Sequence, residues 1–312
     1  MKTKLSAVLL ATLGLSVHIP TNACTGITLK SKDGATIAAR TIEWAESVMN
    51  TLYVVVPRNQ PLQSLTPSGM DGVKFTAKHG YIGLAVEQKE FMVEGINEKG
   101  LSAGLFYFPN YGKYQPYEEI HKDKCLADFQ VVSFVLSQCS TIDEVKEALQ
   151  KVRIINIDPR SSTVHWRFTE PSGRQVVLEI VDEVMHFYEN PLGVLTNSPG
   201  IEWHWTNLNN YINLQPGTLN EHNFGPITPK SFGHGSGLLG LPGDFTPPSR
   251  FVRASSKSST FVFASPHCLR SSSADARKLS ISFVSQIFLF LNASISASSS
   301  SRRLLCEPLR IL

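Results

Sequence analysis

Short runs rich in apolar residues, separated by turn residues, recur between residues 24 and 108, and in the first run apolar and polar positions alternate weakly. The runs lie at 24–30, 35–40, 50–57, 73–79, 91–96 and 101–108. The sequence Ser-Lys-Asp-Gly separates the first two runs, and Asn-Glu-Lys-Gly separates the last two. Alternation bounded by Asn, Asp and Gly is typical of β-hairpins. The pattern therefore predicts closely spaced antiparallel strands.

A helical period follows this strand-rich segment. Apolar residues at 126–138 recur as on one face of a helix, and a second helix is predicted at 141–152, where Thr-Ile-Asp-Glu resembles a capping box. Strands are again predicted at 163–169, 175–181, 185–188 and 193–196, and a Trp- and Asn-rich helix at 202–214. Strands, then helices, then strands indicate an α+β layered fold.

Composition narrows the function classes. The chain has 312 residues, of which 42 % are hydrophobic and 18 % charged, so it can build a globular core. A net charge of +3 is too small for a nucleic-acid-binding surface. No stretch of apolar residues after residue 24 is long enough for a membrane span. We therefore expect no nucleic-acid partner and no membrane-spanning segment.

The first 23 residues have the features of a secretory signal peptide. Lys2 and Lys4 precede an apolar run at 5–17, and Thr21 and Ala23 occupy the positions that a signal peptidase reads. We expect cleavage after Ala23 and a secreted, periplasmic protein. A lipoprotein signal also ends before a Cys, and lipidation would give a lipid-anchored or inactive binding protein instead.

Cleavage after Ala23 would place Cys24 at the new N-terminus. Its thiol would then lie beside a free α-amine, which supplies a nucleophile and a candidate base on one residue. The reference pKa of such an amine is near 8, so a modest decrease leaves it neutral at pH 7. This arrangement suits the hydrolysis of an amide bond.

Four further polar residues are candidates for the same site. Hairpin pairing of 24–30 with 35–40 brings Arg40 towards the Cys24 thiol, and Glu43 follows three residues later. The side-chain amide of Asn197 is a candidate donor to an oxyanion. Arg250 is a second cation for this network or for an acidic substrate.

Five ordered motifs make the chain resemble a known family. They are Cys-Thr-Gly at 24–26, Ala-Arg-Thr-Ile-Glu-Trp at 39–44, Asn-Glu-Lys-Gly-Leu at 97–101, Val-Leu-Thr-Asn-Ser-Pro at 194–199 and Pro-Ser-Arg-Phe at 248–251. In this order they resemble the choloylglycine hydrolase and penicillin V acylase family of N-terminal-nucleophile hydrolases. The resemblance extends from residue 24 to about residue 254.

The resemblance implies a fold, an activity and a set of site residues. It implies a four-layer αββα sandwich, a homotetramer, no cofactor, and hydrolysis of a linear C–N amide in a small molecule. It assigns catalytic positions to Cys24, Arg40, Glu43, Asn197 and Arg250, although many members have Asp where this chain has Glu43. One further family position, whose backbone N–H helps the oxyanion, falls at Phe106 or Tyr107. An aromatic residue there favours penicillin V acylase-like over bile salt hydrolase-like selectivity. Acyl-homoserine lactone acylase activity is an alternative.

Two other patterns carry less weight. A papain-type enzyme would need a catalytic histidine, but His79, His165 and His204 lie in no motif of that kind. The five cysteines form an odd set, so a complete disulfide framework is not expected. Cys125 and Cys139 are either a pair or, as we favour, two small buried thiols that flank a helix.

The composition changes abruptly after the last motif. Residues 255–312 are rich in Ser and contain no Gly, and an apolar segment at 279–293 interrupts the polar sequence. We therefore divide the chain into a signal peptide at 1–23, a hydrolase domain at 24–254 and an anomalous tail at 255–312. Our hypothesis is a reading-frame shift near Ala254, which would leave the sandwich incomplete at its C-terminal end.

Overall fold

A computed structural model describes the parts of the chain that hold all the candidate site residues. The described residues are 24–31, 34–43, 49–158, 162–215, 217–218, 225–231, 234–258 and 288–291. Outside the described residues lie the predicted signal peptide, Trp44 of the second motif, and residues 259–287 and 292–312 of the tail. No helix among the described residues has the length and apolar character needed to cross a bilayer.

Most of the strands belong to two antiparallel sheets. The strands within the described residues are β1 (Thr25–Lys30), β2 (Thr36–Thr41), β3 (Thr51–Val56), β4 (Pro61–Gln63), β5 (Lys74–Thr76), β6 (Tyr81–Val86), β7 (Met92–Asn97), β8 (Ser102–Tyr107), β9 (Cys125–Ala127), β10 (Arg153–Ile155), β11 (Val164–Thr169), β12 (Gln175–Val181), β13 (Val184–Glu189), β14 (Val194–Leu195) and β15 (Phe288–Leu291).

A seven-stranded sheet has the order β13-β12-β11-β8-β7-β6-β3. Consecutive strands are neighbours over most of it, as hairpin spacing predicts, and β8 pairs with β11 across the helical segment. The predicted strand at 73–79 is instead the short β5, which pairs only with β4.

A four-stranded sheet has the order β14-β1-β2-β15. The predicted hairpin at its centre is confirmed, with Gly26 opposite Arg40. The strand β15 belongs to the tail and pairs antiparallel with β2, where Phe288 is opposite Arg40. The backbone of this tail segment therefore lies along the free edge of β2.

Helices cover the outer face of each sheet. They are α1 (Val131–Gln138), α2 (Ile142–Leu149), α3 (Ile201–Asn207) and α4 (Pro247–Ser258), with 3-10 turns at Glu119–Lys124, Asp128–Gln130, Leu208–Tyr211 and Ser236–Leu238. The first α-helix packs on β7 and β8, whereas α4 packs on β1 and β14. Since the two sheets also pack on each other, the molecule has the expected αββα layers.

Two helix predictions need correction. The segment at 126–138 is helical only from Val131, because β9 and a 3-10 turn precede α1. The helix at 202–214 is a short α3 followed by a 3-10 turn. The helix predicted at 141–152 begins at Ile142, and its N-cap Thr141 accepts the backbone N–H of Glu144 at 3.2 Å.

The apolar core has two parts. The larger part lies between the seven-stranded sheet and its helices and includes Leu84, Leu136 and Trp166. The smaller part contains Cys24 with Phe106, Leu195 and Phe251 and lies at the four-stranded sheet. Cys24, Cys125 and Cys139 are buried free thiols, so the pairing considered for Cys125 and Cys139 does not occur in the described structure.

Candidate active site

Cys24 lies just before β1, at the end of the central hairpin that is opposite its turn. Only 6 % of its surface is exposed, and it packs within the smaller apolar core. Its nitrogen is a peptide N–H in the unprocessed chain and stands in for one N–H of the α-amine that cleavage after Ala23 would produce. The contacts of this nitrogen are therefore relevant to both forms.

Strand pairing brings Asn197 opposite Cys24. β14 pairs with β1 so that Leu195 faces Gly26, and each candidate residue lies two positions beyond that pair. The Cys24 N–H donates to Oδ1 of Asn197 at 2.9 Å, and Nδ2 of Asn197 donates to the Tyr107 carbonyl at 2.7 Å. Asn197 thus holds the nitrogen of Cys24, a contact that the sequence does not predict.

Arg250 links three parts of the site from the first turns of α4. Its guanidinium donates to the Cys24 carbonyl, to Oγ1 of Thr25 at 2.6 Å and to Oδ1 of Asn197 at 2.8 Å. Burial lowers the pKa of the Arg250 guanidinium, while the nearby Cys24 and Glu43 oppose that decrease. The predicted network role of Arg250 is consistent with these contacts.

Arg40 is buried between the sheets and stacks 4.0 Å over the Phe106 ring. Its guanidinium donates to the Leu105 carbonyl at 2.6 Å and to the Val93 carbonyl at 3.0 Å. It also forms an ion pair with Glu94 at 3.3 Å. These contacts fix the orientation of Arg40 beside the cavity that Cys24 lines.

Glu94 is a functional candidate that the sequence analysis missed. Its two carboxylate oxygens bind Arg40 and Arg167, the latter at 3.2 Å, and all three side chains are almost fully buried. Burial lowers the pKa of the Arg167 guanidinium. A lone charged residue inside an apolar strand usually needs a partner, so Glu94 in Met-Val-Glu-Gly-Ile-Asn and Arg167 in Val-His-Trp-Arg-Phe-Thr were detectable as a pair.

Two glycines make room for this charged group. A Cβ atom on Gly26 would lie 2.7 Å from both Nη1 of Arg167 and the Phe106 ring. A Cβ atom on Gly104 would lie 2.1 Å from the Glu94 carboxylate. The Gly in the Cys-Thr-Gly motif is therefore required for the close approach of the two sheets.

Glu43 follows β2 and lines the same cavity as Cys24. Burial raises the pKa of its carboxyl group above the usual value, and the positive charge of Arg250 acts in the opposite direction. Glu43 therefore lies on the cavity wall with Cys24 and interacts electrostatically with Arg250.

Phe106 and Tyr107 have different positions although they are adjacent in β8. Phe106 is fully buried between Arg40 and His165, so it packs behind the cavity wall and contacts the Arg40 guanidinium. Tyr107 lines the cavity, its carbonyl accepts from Asn197, and its hydroxyl is 2.8 Å from Oγ of Ser162. Of the two predicted pocket residues, only Tyr107 forms part of the cavity wall.

The cavity has a volume of about 510 Å³ and is mainly apolar. Its apolar lining residues are Ile42, Val86, Phe91, Val93, Leu105, Phe129, Ile157 and Val164. Its polar lining residues are Cys24, Arg40, Glu43, Tyr107, Asp128, Asn156, Asp158 and Ser162. An apolar pocket with a few convergent polar groups is typical of a small-molecule site. The sequence contained no sign of Asp128, because tertiary packing alone brings it to this wall.

Comparison with known proteins connects this geometry to a family. The model of the linear amide C-N hydrolases, choloylglycine hydrolase family, matches residues 24–262. The chain is 34 % identical over 236 residues to a bile salt hydrolase/transferase of Clostridium perfringens, covering 74 % of this chain and 70 % of that relative. It is 33 % identical over 240 residues to a bile salt hydrolase/transferase of Lactiplantibacillus plantarum, covering 74 % of this chain and 70 % of the relative.

Solved structures show the same fold. A variant of the conjugated bile acid hydrolase from Clostridium perfringens is 33 % identical with a TM-score of 0.67, covering 76 % of this chain and 72 % of that one. A penicillin V acylase from Agrobacterium tumefaciens has a TM-score of 0.59 at 22 % identity, covering 76 % of this chain and 65 % of that one. The second similarity concerns the fold alone. The predicted α+β N-terminal-nucleophile hydrolase fold is confirmed.

Proposed function

The chain belongs to the choloylglycine hydrolase family of linear amide C–N hydrolases, and from this premise we propose that Cys24 is its N-terminal nucleophile. One observation carries this proposal. Asn197 and Arg250 contact the backbone nitrogen and carbonyl of Cys24, and they also contact each other. A site that uses only the thiol has no need to fix these backbone atoms, whereas a site that uses the α-amine as a base does.

The proposed first step begins with removal of residues 1–23. The new α-amine of Cys24 keeps a hydrogen bond to Oδ1 of Asn197, which leaves its lone pair to accept the thiol proton. The adjacent charge of Arg250 disfavours the ammonium form and so lowers the amine pKa. The resulting thiolate attacks the carbonyl carbon of the amide, and the carbonyl oxygen becomes an oxyanion.

The remaining steps return the enzyme to its starting form. The second N–H of the Asn197 amide and a backbone N–H near Tyr107 are the candidate donors to the oxyanion. The Cys24 ammonium gives its proton to the leaving nitrogen, the C–N bond breaks, and a thioester with Cys24 remains. The amine then takes a proton from water, and the hydroxide attacks the thioester carbonyl carbon. The C–S bond breaks, the carboxylic acid leaves, and the ammonium returns its proton to the Cys24 thiolate.

The favoured substrates are conjugated bile salts, because relatives with this specificity in their names are 34 % and 33 % identical to the chain. Penicillin V is the second candidate, because aromatic Tyr107 lines the cavity together with Phe91 and Phe129. Export to the periplasm is part of the proposal, since the mechanism needs cleavage before Cys24. A homotetramer also remains a prediction.

The test compares Cys24→Ala with Cys125→Ala. Cys125 is also a buried free thiol, but it lies outside the cavity. We expect Cys24→Ala to reduce the hydrolysis of glycine-conjugated bile salts and penicillin V by at least about 10³-fold, and Cys125→Ala to retain activity. Mass spectrometry of the N-terminus should show unmodified Cys24 in the active protein. Native activity of Cys24→Ala, or a lipid adduct on Cys24 in active protein, would contradict the mechanism.

A further inference from the structure

Asp128 is a buried carboxyl group in the cavity wall that the proposed mechanism does not use. It lies in the 3-10 turn at Asp128–Gln130, directly before α1, and 5 % of its surface is exposed. It lines the same cavity as Cys24, Arg40 and Glu43. A carboxyl group in such a position needs an explanation, because burial of a polar group without full compensation is costly.

Helix capping does not explain Asp128. The N-cap of α1 is Gln130, and no side chain caps this helix. The Asp128 side chain accepts the N–H of Phe129, its own neighbour, at 2.8 Å, and its own backbone N–H and the Tyr114 hydroxyl also interact with it. These three contacts leave about one acceptor site of the carboxyl group unused, because its two oxygens offer about four lone-pair sites.

Two apolar rings that line the cavity lie next to Asp128 in the chain or pack on its neighbour. Phe129 follows Asp128 directly, and the Phe91 ring lies 5.4 Å from the Phe129 ring. Burial raises the pKa of the Asp128 carboxyl to about 7, although its hydrogen bonds act in the opposite direction. The group therefore changes between its acid and carboxylate forms within the physiological pH range.

The reacting groups and Asp128 come from different layers of the molecule. Arg40 lies on β2 of the four-stranded sheet and Cys24 directly precedes β1 of the same sheet, whereas Asp128 belongs to the segment that leads into the outer helix α1. A substrate that fills the cavity would contact both layers. Its acyl part, which must be mainly apolar to suit this lining, would then lie close to the Asp128 carboxyl group.

We propose that Asp128 is a polar subsite that binds a hydroxyl group on the acyl part of the substrate, remote from the scissile carbonyl. This inference rests on the proposed amide hydrolysis at Cys24 and deepens it. A hydroxyl suits Asp128 in both protonation states, since it donates to a carboxylate and accepts from a carboxylic acid. An ammonium group would suit only the carboxylate. The preferred substrates are therefore amides of hydroxylated acyl groups.

The experiment uses glycine conjugates of steroid acids that differ in a single ring hydroxyl, with several hydroxyl positions tested. For each pair, kcat/KM is measured for the hydroxylated and the deoxy substrate, and their ratio is the readout. We expect at least one position with a ratio well above one for the wild-type protein. Asp128→Leu should reduce that ratio about tenfold, and Asp128→Asn, whose amide still donates and accepts, by less than about threefold.

Asp158→Asn is the matched control, because Asp158 is a second acid in the same cavity. Its ratio should stay within about twofold of the wild-type ratio. Thermal unfolding of each variant confirms that the comparison is made on folded protein. The proposed subsite is contradicted if no hydroxyl position is preferred or if Asp128→Leu leaves the kcat/KM ratio unchanged. It is also contradicted if Asp158→Asn changes this ratio as much as Asp128→Leu does.

Binding of the free acids by calorimetry separates this inference from the proposed reaction. The wild-type protein should bind the hydroxylated acid about tenfold more tightly than the deoxy acid, and Asp128→Leu should remove that difference. If neither amide is hydrolysed but this difference is present, the proposed function fails and the subsite stands. If hydrolysis occurs without a difference in either measurement, only the subsite fails.

Discussion

At the scale of single residues, Asn197 uses both ends of its side-chain amide. Its oxygen accepts from the Cys24 nitrogen and from Arg250, and its nitrogen donates to the Tyr107 carbonyl. We predict that Asn197→Asp lowers kcat by about 10² to 10³, since the amide donor is lost. The new carboxylate beside the α-amine should also raise the amine pKa and move the acidic limb of the pH–rate profile to higher pH.

The control for this prediction is Asn190→Asp. Asn190 is also buried and donates to Gln175 and to the Val194 carbonyl, but it has no contact with Cys24. We expect this variant to change stability without moving the pH–rate profile. Equal shifts of the acidic limb in both variants would show that Asn197 does not act through the Cys24 amine.

Asp128 makes a second prediction at this scale, on stability. Its folded-state pKa is raised to about 7 from an ordinary value of 3.8, so between these values the folded protein binds more protons than the unfolded chain. Its contribution to stability is therefore present at low pH and is lost as the pH rises towards 7. Asp128→Asn should stabilise the protein by up to about 4 kcal/mol at pH 8 and by much less at pH 4.

Urea unfolding of wild-type protein and Asp128→Asn at pH 4, 6 and 8 measures this difference. Asp123→Asn, at an exposed position in the preceding 3-10 turn, is the control for loss of a carboxylate. A stability difference between Asp128→Asn and wild type that is constant across these pH values would show that the Asp128 carboxyl is not desolvated in solution.

At the scale of secondary structure elements, Glu94 on β7 joins β2 to β11 through Arg40 and Arg167. Removing one partner of a buried ion pair leaves an uncompensated charge, which typically costs about 3 to 5 kcal/mol. Glu94→Gln would leave two buried guanidinium groups close together. We predict a destabilisation of that size in chemical unfolding and, because Arg40 loses its orientation, a decrease in kcat as well.

Glu98→Gln is the matched control for Glu94→Gln. Glu98 is on the turn after the same strand and pairs at 2.6 Å with Arg58, which is well exposed to solvent. Solvent screens such a pair, so the variant should cost much less stability and leave kcat unchanged. Similar losses of stability in the two variants would mean that the buried position of Glu94 has no special energetic role.

Among the secondary structure elements, the sequence predicts those whose residue pattern and bounding turn lie within one short segment. The hairpin of β1 and β2 was predictable from alternation and a turn, and its register alone places Arg40 opposite Gly26, two residues after Cys24. The start of α1 was not predictable, because Cys-Leu-Ala at β9 is a short apolar run that has no period of its own. Its strand character comes from parallel pairing with β10, which lies 26 or more residues away.

At the scale of the whole molecule, the candidate site also contains residues that a local sequence signal indicates and residues that no such signal indicates. Cys24, Arg40 and Glu43, which come from the first motifs, line one cavity, and Asn197 and Arg250 from the last motifs contact Cys24. Asp128 reaches the site only because whole layers pack against one another, and no local pattern encodes that packing. Glu94 and Arg167 were detectable as lone charges inside apolar strands, but no motif connects them to Arg40. Sequence reasoning therefore identifies the residues proposed to react. It misses Glu94, which binds Arg40, and Asp128, which is proposed to select the substrate.

The tail provides the last prediction, because its strand β15 pairs with β2 along the edge of the four-stranded sheet. A chain ending at residue 258 would lose this strand and expose the backbone N–H and C=O groups of β2, which carries Arg40. Exposed strand edges favour edge-to-edge association. We expect that truncation to show a lower unfolding temperature and more light scattering than a chain ending at residue 291, which keeps β15. Identical behaviour of the two truncations would show that β15 does not stabilise β2.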